Sequence, residues 1–194
     1  IILKGGAFIC TALFFVLKKN MIVNKDINRK IQKEFFFIKG TIDIDSEYFI
    51  QKIKEGYSLE DNLNFKTNIK GLMTPFKFFN KDNKFDQTIT PLIEYVDENY
   101  SHNNYQISNS WGFEIRPSEK TNFHNHLESY WSGVIYLNDC NQPLEFPEIR
   151  EFLMPKKGAF ALFSPFLEHG CKKNKDKVSK FGLSFNFEEI KSWW

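Results

Sequence analysis

Residues 122–138, NFHNHLESYWSGVIYLN, decide the fold that the sequence predicts. His124 and His126 are two residues apart, so in an extended strand both imidazoles lie on one face and Asn125 points to the other. Two nitrogen donors on one rigid strand can form half of a mononuclear metal site. Residues 131–137, which follow, are aromatic, small or β-branched, and this composition predicts a buried strand.

A third histidine, His169, lies far beyond this pair, after the apolar run 159–163 and the turn residues Ser164 and Pro165. A pair of histidines on one strand and a single histidine after a distant strand can meet only if the sheet curls on itself. A small β-barrel or jelly roll with a metal ion at its mouth has that geometry. We therefore predict that His124, His126 and His169 bind one metal ion.

The rest of the chain predicts helices first and short strands afterwards. Capping residues and apolar spacing indicate one helix at residues 46–55, ended by Gly56, and a second at residues 91–99, with Pro91 in its first turn. Alternation with a period of two begins at Ile107. Strands are predicted at residues 35–38, at 68–79 with a turn, from 107 onward, and at 131–137, 143–146, 160–163 and 181–187. This order is typical of an α+β fold in which a helical layer covers one sheet.

We expect one domain at residues 21–194, with its core barrel at about 107–188 and with residues 1–20 as an uncertain N-terminal extension. Residues 5–17 are apolar but short for a bilayer span, which takes about 20 residues, so a membrane anchor is only the alternative. Residues 21–33 are polar and lysine-rich, which predicts a loosely held leader.

Charge and cysteine content give weaker indications. The net charge of +2 argues neither for nor against nucleic-acid binding, and no motif indicates it. The three cysteines, Cys10, Cys140 and Cys171, lack C-x-x-C spacing, which favours a reduced, cytoplasmic compartment. Cys171 is two residues from His169, and we expect it to be a buried thiol rather than a metal ligand. The sequence leaves the oligomeric state open.

Five motifs follow one another within residues 108–187. They are His-Asn-His at 124–126, Ser-Gly-Val-Ile-Tyr-Leu at 132–137, Pro-Lys-Lys-Gly at 155–158, the segment 163–169 that ends in His169, and the segment 180–186 that begins with Lys180. In this order they resemble the Fe(II)/2-oxoglutarate-dependent oxygenase superfamily, and most closely a branch common in phage and bacteria. The resemblance implies a double-stranded β-helix, a cupin-like jelly-roll barrel, backed by N-terminal helices. It also implies Fe(II), 2-oxoglutarate as cosubstrate, and hydroxylation of an unidentified substrate with release of succinate and CO2.

The metal ligands implied by the resemblance are His124, His126 and His169, with one departure from the family pattern. The commonest pattern in the superfamily has an aspartate or glutamate where this chain has His126. Either three histidines bind the metal, as in the branch that the chain resembles, or Glu128 supplies the carboxylate and one histidine is not a ligand. Asp139, after the next strand, is a weaker candidate for the acid.

For the cosubstrate, the resemblance implies that Lys180 binds the far carboxylate of 2-oxoglutarate and that Tyr136 and Ser184 donate further hydrogen bonds. Gly182 and Ser184 share a strand face with Lys180, and their small size leaves room for a ligand there. The alternative is that Lys180 belongs to the solvated, lysine-rich run 172–180.

A cupin-type metal-binding protein, with other chemistry or a binding role only, is the alternative function, because cupins also carry H-x-H. A cupin has a glutamate four or five residues after that pair, where this chain has Tyr130 and Trp131. A metal-free jelly roll of the capsid or lectin kind requires that the three histidines do not converge. The sequence does not identify the substrate, and small molecules and protein side chains both remain open.

Overall fold

The computed structural model describes residues 17–22, 30–58, 67–100, 104–126 and 129–190. Within these ranges the chain forms thirteen strands and two helices. In chain order they are β1 Leu17–Ile22, β2 Lys30–Phe35, β3 Phe37–Thr41, α1 Ser46–Ser58, β4 Ile69–Lys70, β5 Leu72–Met73, α2 Asn83–Asn99, β6 Tyr105–Ile115, β7 Lys120–His124, β8 Trp131–Tyr136, β9 Leu144–Phe146, β10 Glu151–Leu153, β11 Ala159–Phe163, β12 His169–Cys171 and β13 Lys180–Glu189.

Two antiparallel sheets form the body of the molecule. The six-stranded sheet has the order β3-β11-β8-β13-β6-β5, and the five-stranded sheet has the order β10-β9-β12-β7-β4. From β6 to β13 the chain passes repeatedly from one sheet to the other, so strands that are distant in sequence become neighbours. This arrangement is a jelly roll, and it confirms the predicted α+β fold with a double-stranded β-helix.

The six-stranded sheet is covered on both faces, which explains why β8 is buried along its whole length. Its inner face packs against the five-stranded sheet, and its outer face packs against the two helices. The inner cluster includes Trp111, Phe113, Val134, Leu144 and Phe146. The outer cluster includes Phe49, Ile53, Phe85, Ile89, Leu183 and Phe185. The predicted helical layer over one sheet is therefore confirmed.

Both helices are longer than the sequence pattern predicted. The prediction that α1 ends at Gly56 is wrong, because the helix continues to Ser58. Gly56 is buried, and a Cβ added there would lie 2.6 Å from Thr74 Cγ2, so the residue permits close packing rather than ending the helix.

The prediction that Pro91 lies in the first turn of α2 is also wrong. The helix begins at Asn83, after the N-cap Asp82, whose Oδ1 accepts a hydrogen bond from the Phe85 N–H at 2.9 Å. Pro91 lies inside the helix on its exposed side, where the carbonyl that it leaves without a donor can be hydrated.

The N-terminal segment differs from the prediction as well. β1 pairs antiparallel with β2, from Leu17 opposite Phe35 to Ile22 opposite Lys30. The predicted boundary after residue 20 therefore falls inside a strand, and residues 30–33 of the predicted leader belong to β2. β3, β4 and β5 join the two sheets, so the barrel extends beyond the predicted range of about 107–188. Residues 1–16 lie outside the described residues. Among the helices that are described, none is long and apolar enough to cross a membrane.

Candidate metal centre

The structure brings together the three histidines that the sequence singled out. His124 ends β7 and His169 begins β12, and the two residues are paired directly across these neighbouring strands. His126 follows two residues after His124, and its backbone N–H donates to the carbonyl oxygen of Pro165 at 2.8 Å. One ring nitrogen of each histidine lies within 4.8 Å of the corresponding nitrogen of the other two. We refer to these three residues as the histidine cluster.

Hydrogen bonds fix the tautomer of two of the three rings. A carbonyl oxygen can only accept, so the His124 Nδ1–H donates to the carbonyl of Asn122 at 2.8 Å, and the His169 Nδ1–H donates to that of Leu167 at 3.0 Å. The Nε2 atoms of both rings are therefore unprotonated and have a lone pair for a metal. This backbone support of the second ring nitrogen is typical of metal-binding histidines.

Burial keeps all three rings neutral. Desolvation lowers the pKa of His124, lowers that of His126 to about 4 with a smaller contribution from His124, and lowers that of His169 well below its usual value. Neutral imidazole is the form that binds metal ions.

The spacing of the nitrogens also fits one ion. The Nε2 atoms of His126 and His169 are 3.3 Å apart. Two ligand nitrogens, each about 2.0–2.1 Å from a shared ion, would be separated by roughly 3 Å. The donor set and its spacing therefore fit a single divalent metal.

A carboxylate ligand is not found in the part of the chain that the structure describes. The cluster there consists of histidines alone. Glu128, the alternative acid, lies outside the described residues. Asp139 is not part of the site, because its carboxylate pairs with Lys156 at 2.8 Å and accepts the backbone N–H of Lys157 at 3.0 Å on the exposed surface.

An inner cavity between the two sheets connects the histidine cluster with the three residues predicted to bind the cosubstrate. Its lining includes the histidine cluster together with Lys180, Tyr136 and Ser184. We refer to Lys180, Tyr136 and Ser184 as the lysine end. An outer groove of about 820 Å³ opens above His124 and His126, and Lys180 does not line it.

Lys180 is fully buried and is not part of a solvated run of lysines. Its Nζ donates to the carbonyl oxygen of Gln142 at 3.2 Å and to Cys171 Sγ at 3.1 Å, and it lies 5.4 Å from the centroid of the Tyr136 ring. Among the described residues, no carboxylate forms an ion pair with it. A buried ammonium group without a counter-ion is costly, so this cavity is suited to an anion.

The two other residues at the lysine end can donate hydrogen bonds. Burial raises the pKa of the Tyr136 phenol well above its usual value, so its hydroxyl stays protonated. Ser184 lies on the same face of β13 as Lys180, and both line the inner cavity. Gly182, between them, also faces inward, but a Cβ there would lie 2.4 Å from Phe113 Cζ, so Phe113 fills the space that was expected to be left for a ligand at this position. Leu183 and Phe185 pack in the outer cluster.

Several residues of the site were missed at the sequence level. Trp111 and Asn186 line both the inner cavity and the outer groove. Asn186 follows Lys180 and Ser184 at even spacing on β13, and this signal could have identified it. The contact of Lys180 with Cys171 joins two different strands, and no sequence pattern indicates it. Cys171 is a free, buried thiol, as expected.

Comparisons with known proteins support the fold. No protein-family model matches the sequence, and no curated protein matches it significantly. The structure is similar to that of a viral collagen prolyl hydroxylase from Paramecium Bursaria Chlorella virus-1, solved as a 2OG complex, with a TM-score of 0.58 and 14% identity over 78% of this chain and 94% of that chain. A prolyl-4-hydroxylase from Pseudomonas putida has a TM-score of 0.57 and 13% identity over 80% of this chain and 93% of that chain.

A third similar structure is HygX from Streptomyces hygroscopicus, with nickel and 2-oxoglutarate bound. It has a TM-score of 0.54 and 12% identity, over 79% of this chain and 81% of that chain. At these identities the likeness is one of fold. The chain therefore has the fold that the sequence resemblance implied.

Proposed function

We propose that this protein is an Fe(II)- and 2-oxoglutarate-dependent oxygenase of the hydroxylase type. In this proposal the histidine cluster binds iron, and Lys180 binds the far carboxylate of 2-oxoglutarate. The observation that carries the proposal is the content of the inner cavity, which combines three neutral imidazoles with a buried ammonium group that has no carboxylate partner among the described residues.

The functional groups of 2-oxoglutarate match this combination. Its keto acid end can chelate a metal, and its other end is a carboxylate that needs a cation. Bound iron and 2-oxoglutarate would supply oxidation of a substrate by dioxygen, with release of succinate and CO2. Two of the three similar structures described above are of prolyl hydroxylases, and two hold 2-oxoglutarate.

The chain's own residues would bind and orient the cosubstrate. Lys180 is held in place by the Gln142 carbonyl and Cys171 Sγ, and among the described residues no carboxylate forms an ion pair with it. The Tyr136 and Ser184 hydroxyls would donate to the same carboxylate. Phe163 and Phe146, whose ring centroids lie 4.6 and 5.8 Å from that of His169, form an apolar wall that limits the access of water to the metal ligands.

A face of three histidines differs from the usual two histidines and one carboxylate in charge. Three neutral ligands leave the full charge of a divalent ion in place, whereas a carboxylate removes one unit. An anionic chelator then compensates more of the metal's charge. We therefore propose that metal and 2-oxoglutarate bind with positive coupling.

Anaerobic calorimetry of the full chain tests the proposal. We expect Fe(II) to bind at one site per chain and 2-oxoglutarate to bind only to protein that holds Fe(II). When air is admitted together with candidate substrates, we expect succinate to form. Iron binding that is independent of 2-oxoglutarate, with no affinity for the cosubstrate, would favour the cupin-type alternative. Absence of both would reject a metal-dependent function.

A further inference from the structure

The outer groove has properties that restrict the substrate. It lies above His124 and His126 and has a volume of about 820 Å³. Four of the residues that line it carry the argument below: Asn109, Trp111, Asn186 and Phe76. The inference rests on the proposed function, because that function requires a substrate to reach the metal through this groove.

Trp111 has a buried donor without a partner. The residue is 5% exposed, and among the described residues nothing accepts a hydrogen bond from its Nε1–H. Trp111 lines both the groove and the inner cavity, and its ring lies beside His126 with 6.4 Å between centroids. Native proteins rarely leave a buried donor unpaired, because the loss of its hydrogen bond to water is costly. A ligand in the groove or cavity would satisfy it.

Asn109 offers a second donor. A chain of hydrogen bonds, which we call the relay, orients its side-chain amide. The Ser132 hydroxyl donates to Asn186 Oδ1 at 2.8 Å, and Asn186 Nδ2 donates to Asn109 Oδ1 at 2.7 Å. Asn186 is 4% exposed, so the relay is shielded from water. The oxygen of the Asn109 side chain thus already accepts one of its two possible hydrogen bonds, and its NH2 group can donate to a ligand.

The charges in the groove are few. Among the described residues that line it, Lys77 and Glu188 are the charged ones, and Glu188 Oε1 already accepts from Gln106 at 2.8 Å. Phe76 is 40% exposed, and it meets the Trp111 ring edge-on at a centroid distance of 5.1 Å, which gives an apolar surface beside the donors. Lys77 and Glu188 have opposite charges, so the groove favours neither a cation nor an anion.

We propose that Trp111 Nε1 and Asn109 Nδ2 bind the substrate, and that the substrate is an uncharged amide with an apolar portion. The indole N–H of Trp111 and the NH2 group of Asn109 can only donate, so the group that meets both must be an acceptor. An amide carbonyl oxygen has two lone pairs and can accept from both. The apolar portion packs on Phe76.

The test is titration of the ¹⁵N-labelled protein with N-acetylphenylalanine N-methylamide, followed by the indole N–H resonances in NMR. The protein is loaded with Zn(II), which allows no turnover, and is examined with and without 2-oxoglutarate. We expect the Trp111 resonance, assigned by its loss in Trp111→Phe, to shift and to saturate. The resonance of Trp131, which packs in the outer cluster, stays in place and serves as the internal control. Asn109→Leu weakens binding about ten-fold, the size expected for one hydrogen bond.

The matched probe 3-phenylpropionate keeps the aromatic ring but has a carboxylate in place of the amide, and the two probes are compared on protein that holds both Zn(II) and 2-oxoglutarate. We expect it to bind at least about ten-fold more weakly. Equal binding of the two probes, or no response of the Trp111 resonance to the amide, overturns the inference. A Trp111 resonance that responds to 2-oxoglutarate alone assigns the donor to the cosubstrate; this also overturns the inference but leaves the proposed function intact. Failure of Zn(II) and 2-oxoglutarate to bind in calorimetry rejects the proposed function separately, since the response to the amide is measured on its own.

Discussion

The histidine cluster and the lysine end are parts of one cavity, but they are built differently. The histidines lie at or just beyond the ends of strands in the five-stranded sheet and are neutral, and the rings of His124 and His169 have backbone hydrogen bonds that already suit a ligand role. Lys180, Tyr136 and Ser184 come from two strands of the six-stranded sheet, and the fully buried Lys180 forms no ion pair with a carboxylate among the described residues. We therefore expect substitution of a histidine to remove metal binding at little structural cost, and substitution of Lys180 to remove a source of instability together with binding of the cosubstrate.

The largest expected effect is on metal binding. His169→Ala removes a ligand whose replacement by water lowers Fe(II) affinity, by about 100-fold or more, because changes in groups that only support ligands already cost 10–100-fold. The fold persists, since the core is aromatic and aliphatic. Anaerobic calorimetry measures the affinity, and circular dichroism measures the fold.

The same experiment distinguishes the two possible ligand sets. We expect His126→Ala to lose iron as well and Glu128→Ala to retain it. Full iron occupancy in His126→Ala, together with loss in Glu128→Ala, would contradict the three-histidine assignment and replace His126 with the acid.

The next largest expected effect is on 2-oxoglutarate binding, and it distinguishes the lysine end from the histidine cluster. Lys180→Ala removes a charge-assisted contact worth roughly 1.5–3 kcal/mol, so the 2-oxoglutarate dissociation constant rises by about one to two orders of magnitude. Fe(II) affinity stays nearly unchanged, because Lys180 is not in the histidine cluster. Calorimetry with each ligand in turn measures both.

Lys177→Ala is the matched control, because Lys177 is an exposed lysine on the loop before β13. It leaves both affinities unchanged. Equal small effects of the two substitutions would mean that Lys180 does not contact the cosubstrate.

Whether a feature of the fold or of the site could be predicted from the sequence depends on how far apart in the chain the interacting residues are. The shared face of His124 and His126 depends on strand geometry alone, so the sequence was sufficient. His169 was found because it follows an apolar strand and matches a family motif. The end of α1 and the start of α2 were misplaced because Gly56 and Pro91 are local signals. The packing that overrides them, such as Gly56 against Thr74, is decided by the fold.

The contacts around Lys180 and Trp111 could not be predicted from the sequence for the same reason. The contact of Lys180 Nζ with the Gln142 carbonyl depends on a backbone atom that lies 38 residues away in sequence. A carbonyl group is common to every residue, so no residue type marks it. That Trp111 Nε1 has no acceptor among the described residues likewise becomes visible only when its neighbours are placed.

A third test measures stability. A substitution in the core usually lowers the free energy of unfolding, whereas we expect the following one to raise it. Lys180→Met keeps much of the side-chain length and removes the buried charge. In metal-free protein without 2-oxoglutarate, we expect the free energy of unfolding to rise, because the desolvation cost of the buried ammonium group is removed, by about 1–4 kcal/mol, the range seen when well-packed apolar residues replace a buried ion pair. Urea denaturation measures this, with Lys177→Met as the exposed control. A lower stability would mean that Gln142, Cys171 and the Tyr136 ring already compensate the ammonium group.

The smallest expected effect is on the affinity for 2-oxoglutarate when a hydroxyl group of the lysine end is removed. It compares the contribution of hydrogen bonds with that of the Lys180 charge. Tyr136→Phe keeps the ring below the Lys180 ammonium and removes only the hydroxyl. A neutral hydrogen bond contributes about 0.5–1.5 kcal/mol, so 2-oxoglutarate binding weakens by roughly two- to ten-fold, less than in Lys180→Ala. Ser184→Ala has an effect in the same range, and both variants bind Fe(II) as the unchanged protein does. An effect of Tyr136→Phe as large as that of Lys180→Ala would mean that the phenol, rather than the ammonium group, is the main anchor of the carboxylate. The charge of Lys180 would then serve some other group in the cavity.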